Sequence, residues 1–170
     1  AALTTSQVKA LSTDAVIALS TYQVANLTTG TMAALSTAQV AAIETTDIQA
    51  LSTKQLAGLA TGTVSALTTD QVIALTTYQV GNLSTATLKA LSSDQIAAIE
   101  TTDIQVLTTG QLAGLATSTV AALTTDQVVA LTTYQIGNLS TATLKALSSD
   151  QLVAIETTDI QALKTSQLAT

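Results

Sequence analysis

The sequence predicts an all-α fold: a solenoid of 21 octapeptide repeats, each forming one very short capped helix. Three observations carry that expectation. Residues 3–170 divide into octads with nothing left over, and every octad opens on Leu or Ile. Most octads hold a helix-start signature. All 11 acidic residues fall where a first helical turn would lie. A strict short period signals one small unit stacked many times, so residues 1–170 read as a single repeat array.

With the octad positions labelled a to h, position a is always Leu or Ile and position f always Val, Ile, Leu or Met. Position c is Thr except at Ser93 and Ser149, b is Ser or Thr in 15 octads, and e is Gln in 12. Position h is mostly Ala, Gly or Asn, and g varies freely. A continuous helix cannot use this pattern. At about 100° per residue, each octad rotates its apolar positions by about 80°, so no lasting seam forms. A strand fits poorly because a and f, five apart, face opposite sides.

A helix restarting in every octad fits. In Leu123-Thr124-Thr125-Asp126-Gln127-Val128, Thr124 is the N-cap and Gln127 the third helical residue, which is the capping box. Leu123 before the cap pairs with Val128 at the fourth helical position, which is the hydrophobic staple. The hydroxyl at c reads as an alternative cap where b is Glu or Ala. The acids sit at b, d or e, near the positive end of a helix dipole, and Lys9, Lys89 and Lys145 sit at g, near the other end. Helices of roughly 5–6 residues are far below the ~12 needed to persist alone, so a, f and h must form a continuous apolar spine. The alternative is a β-solenoid, favoured by Thr, Val and Ile content and opposed by abundant Ala and the lack of a fixed turn residue.

A longer period overlies the octad. Tyr22, Tyr78 and Tyr134 are 56 residues apart, and Asn26, Asn82 and Asn138 follow at the same spacing. The pairs Glu44/Asp47, Glu100/Asp103 and Glu156/Asp159 do likewise. The chain is three copies of a seven-octad unit. Duplication of a 56-residue block explains this, as does a match between seven octads and a whole number of superhelical turns. The second reading makes Tyr22, Tyr78 and Tyr134 a contact stripe; a local contact between each Tyr and the Asn four residues on is the simpler account.

Composition excludes several functions. The net charge is −6 with five basic residues, so no basic patch exists for nucleic acid. No apolar run approaches the ~20 residues of a membrane span. With no His and no Cys, most nucleophile–base pairs and soft-metal sites are impossible. No catalytic, cofactor-binding or metal-ligating residue is assigned, no cofactor is expected, and an enzyme is not. Carboxylate pairs such as Glu44/Asp47 read as helix capping ahead of acid–base or calcium chemistry. A flat Thr array suggests ice binding, but capping removes the position b hydroxyls from such a face. The chain opens in register without a signal peptide and lacks polar capping repeats. Both facts suggest a segment of a longer parent chain with flanking domains, and open ends that associate end to end.

The stretch LTTDQVVALTTYQIGNLSTATLKAL, residues 123–147, resembles tandem-repeat tracts of large bacterial secreted or cell-surface proteins of adhesin type. That resemblance implies an extracellular or cell-surface stalk or spacer with no catalytic residue. The competing expectation is a protein–protein interaction module that uses the exposed d and g positions. The disorder of residue types at g favours the spacer.

Overall fold

In a computed structural model of the chain, residues 3–59 and 61–169 are described. Among them are 21 helices and no strand, one helix per octad. They begin with α1 (Thr5–Lys9), α2 (Thr13–Ile17), α3 (Thr21–Ala25), α4 (Thr29–Met32) and α5 (Thr37–Ala41), and end with α18 (Thr141–Ala146), α19 (Ser149–Ala154), α20 (Thr157–Gln161) and α21 (Thr165–Leu168). The all-α reading holds and the β-solenoid alternative does not.

Each start is built as the octad text implies. Thr124 is extended at φ −74° and ψ 161°, and its Oγ1 accepts the Gln127 N–H at 3.1 Å. Gln127 Oε1 accepts the Thr124 N–H in return at 2.9 Å. Two of the four amides a helix start leaves unbonded are thereby satisfied. Each helix ends without a special residue. The N–H of Leu131 bonds the carbonyl of Val128 at 3.2 Å, tightening the last turn, and the chain leaves in extended conformation. No described residue has positive φ. This explains why no turn position is fixed as Gly or Asn from octad to octad.

The position c hydroxyl does not act as an alternative cap. Glu44, Glu100, Glu156 and Ala116 are N-caps with no side-chain cap bond. The reason is placement: c is already the first helical residue, and Thr45, Thr101, Thr117 and Thr157 stay exposed. The three glutamates are likewise exposed. Capping therefore does not explain their carboxylates, contrary to expectation.

Helices stack on the third helix along the chain: α1 packs on α4, α2 on α5, and the pattern recurs through α18 on α21. The spine is positions a and f. From Met32 through Ile136, every f residue, such as Val40, Ile48, Val80 and Ile104, is at most 2% exposed. From Leu35 onward the a residues through Ile155 are buried as well. Small residues at h permit the approach of successive turns. A Cβ on Gly58 would sit 3.1 Å from the Thr29 carbonyl oxygen, and one on Gly114 would collide with Thr85 Cγ2.

Burial sets the cost of disruption. Leu75→Ala removes a buried spine residue and is expected to cost about 2–5 kcal/mol. Thr124→Ala removes one cap and is expected to cost about 0.5–2 kcal/mol. Urea unfolding followed by far-UV circular dichroism measures both; neutrality of both would contradict the staple-and-cap unit.

Candidate functional site

From Gln39 onward the position e glutamines are buried alongside a and f, although they are polar. Gln71 and Gln127 are each 1% exposed. Oε1 of each Gln serves its own capping box, and Nε2 reaches across to the preceding turn. Gln71 Nε2 donates to the carbonyls of Val40 at 2.9 Å and Ile43 at 2.6 Å. Gln79 does the same to Ile48 and Leu51, and Gln135 to Ile104 and Leu107. The pattern runs from Gln39, bonded to Val8 and Leu11, to Gln167, bonded to Leu139. The acceptors lie at the C-terminal end of a helix one turn back: the f carbonyl, which also accepts the N–H of the next a residue, and the a carbonyl just past the helix end. One amide side chain thus satisfies a helix start and a helix end together. The capping box, legible from spacing, accounts for only half of what Gln does here. Its recurrence in 12 octads was the available signal, since a Glu closes the same box but has no amide to donate.

These bonds measure the superhelix. Gln71 to Ile43 spans 28 residues and Gln71 to Val40 spans 31, while helix packing spans three octads. One turn therefore holds about three and a half octads, about 28 residues. Fifty-six residues make two turns, so the longer sequence period and the superhelical period coincide.

Tyr22, Tyr78 and Tyr134 lie in α3, α10 (Thr77–Gly81) and α17 (Thr133–Gly137). They are 78%, 73% and 73% exposed. The expected Tyr–Asn contact takes a different form: Asn26, Asn82 and Asn138 Nδ2 donate to the backbone carbonyls of these tyrosines at 2.7–2.8 Å. The rings are left free of that bond. They sit two turns apart and do not touch one another.

Three octads carry Asp at position e: Asp47, Asp103 and Asp159, at 2%, 2% and 4% exposure. Asp47 Oδ2 and Asp103 Oδ1 are buried without a hydrogen-bond partner. By the glutamine register, the carbonyls of Val72 and Leu75 occupy the place before Asp103 where an amide donor belongs, and a carboxylate offers none. Burial pushes the Asp103 carboxyl above its usual range. The Thr77 hydroxyl bond pulls it down, and the nearby Glu100 charge raises it further. Among the described residues no group of three or more acids is placed to hold a metal ion, and no helix is long and apolar enough to cross a membrane.

These features define a structural repeat protein, an α-solenoid whose turns are joined by buried side-chain amides. The chain belongs to the ALTTAQ repeat family, which matches residues 1–29, 40–77, 77–109, 96–133 and 133–165. Ala122 through Gln127 spell that text in this chain with one change, Asp126. It joins the small residue at h, the staple, the cap and the bridging Gln. No curated protein matches the chain.

Two predictions follow from the buried polar position. Gln127→Leu removes the side-chain donor to the carbonyls of Ile96 and Ile99 and the acceptor for the amide of Thr124, and is expected to cost about 2–4 kcal/mol by the desolvation of groups left short of a partner. Chemical denaturation measures it, and a loss no larger than that of an exposed position d substitution would count against the bridge. For Asp103, a raised folded pKa means that the folded chain binds more protons than the unfolded chain. Its contribution to stability is complete below the ordinary value of 3.8 and is lost as pH rises through the raised folded value. Asp103→Asn is expected to flatten that slope in a pH series of unfolding midpoints.

Proposed function

We propose that the chain is a non-catalytic spacer or stalk segment of a larger extracellular or cell-surface protein. The single observation that carries this reading is the even distribution of the glutamine bridge along the array, from Gln39 to Gln167. From Gln39 onward the turns are tied together by the same kind of bond. Such an array transmits load and fixes distance, and its length is tuned by adding octads. The acidic composition suits a solvated, extended segment.

A second reading, a protein interaction module, rests on the exposed Tyr22, Tyr78 and Tyr134. Capture of a saturable partner that is lost on substitution of Tyr78 and Tyr134 would favour it over the spacer.

The spacer reading is tested by length. Arrays extended by seven octads are expected to lengthen by two turns, roughly 16–20 Å at the 8–10 Å spacing of packed helices. The maximum dimension from small-angle X-ray scattering measures this, and a dimension that fails to grow with octad number would overturn it. Fractionation of the parent organism with an antibody to the array tests the surface location; signal confined to the cytosol would refute it.

A further inference from the structure

Most of the solenoid surface is Thr, Ser and Ala, so its large exposed apolar side chains stand out. Before residue 150 they fall into one pattern. Ile17, Ile73 and Val129 are 46%, 45% and 43% exposed, and each precedes an exposed Tyr, at 22, 78 or 134, by five residues. In each pair the first residue ends one helix and the Tyr lies at the start of the next, and the two are taken together as one apolar rung. The three rungs are 56 residues apart, two superhelical turns, and so lie in line along one side. Val106, 40% exposed, belongs to the same strip. It packs on Gly81, where a Cβ would meet its Cγ2 at 3.4 Å, one helical turn from Tyr78. An aligned apolar strip on an otherwise polar surface marks an interaction site.

We propose that this strip is a homotypic docking surface: a second copy of the chain lies alongside, in the same direction, with rung facing rung. Three arguments select this occupant. The first is period. Only a partner repeating at two turns of this superhelix meets all three rungs at once, and another copy of the array does so by construction. Joint engagement makes weak single contacts strong together. The second is area. At ~150 Å² per buried aromatic side chain, the three tyrosines offer roughly 450 Å², over half of the ~800 Å² per partner of a stable interface. The apolar neighbours supply more. The third is charge, which sets direction. Asp14, Asp70 and Asp126 lie three residues before Ile17, Ile73 and Val129 on the same helix faces, and Glu44 lines one recess with Asp70. That edge of the strip is acidic. The other edge carries Asn26, Asn82 and Asn138, with Lys164 Nζ 3.3 Å from Asn138 Oδ1. An antiparallel pair sets acid against acid. A two-fold axis parallel to the solenoid axes sets the acidic edge against the amide and lysine edge, in an isologous contact.

Sedimentation of the 170-residue chain over a concentration series is expected to show a monomer–dimer equilibrium. Each Tyr→Ser substitution should weaken it about tenfold or more, as for a buried aromatic contact, with an unchanged far-UV spectrum, since the rings are exposed in the monomer. The chain has no cysteine, so Thr21→Cys and Thr133→Cys place pyrene beside the first and last rungs. Excimer emission between two labels at 21, and between two at 133, is expected; mixing the two labelled chains should give none between 21 and 133. A monomer at every concentration, or a dimer untouched by the triple Tyr22→Ser, Tyr78→Ser, Tyr134→Ser change, would overturn the surface. Excimers between 21 and 133 would overturn the parallel arrangement.

Discussion

The structure depends on one side chain that serves two helices. A helix of five residues leaves far more amides and carbonyls unbonded at its ends than it bonds in its middle, so alone it does not form. In this chain the Gln at position e closes the capping box of its own helix with Oε1 and satisfies the end of a helix one turn below with Nε2. Gln71, joined to Thr68 on one side and to Val40 and Ile43 on the other, shows the whole arrangement. The apolar spine supplies the driving force, and the amide bridge fixes how one turn sits on the next. Removing the bridge leaves buried carbonyls dry, which costs more than the bond itself contributes.

Much of this was legible in the residues. Leu123, Thr124, Gln127 and Val128 announce staple, cap and helix start through spacing alone, because those interactions are local. Contacts across 28 residues were not legible, since no local rule says where the free end of a Gln side chain goes. The role of position c was misread for a similar reason. Its constancy suggested a cap, but the hydroxyl sits one residue too far into the helix. Tyr22, Tyr78 and Tyr134 were found from their period, and their exposure agrees with their place at position d. The rung partners Ile17, Ile73 and Val129 were missed, because g appears unordered until the superhelical turn is known.

The aspartates at e show what the bridge demands. Asp47 and Asp103 fill the buried place with a group one methylene shorter, which has no donor when ionised, and each keeps an oxygen without a partner. Such sites are local weak points between the glutamine bridges. They recur once in each seven-octad unit, so the weakness is spaced along the array instead of concentrated at one place.

The half-integral count of octads per turn has a consequence for how such a chain can grow. Adding or losing one octad leaves spine and bridges intact but turns everything downstream by about 103° around the axis. Surface features on either side of the change then face different directions. Seven octads are the smallest addition that also restores the heading of every side chain. Length in this architecture is free at the level of folding and quantised at the level of the surface, and lengthening by 56-residue blocks keeps one face continuous from end to end.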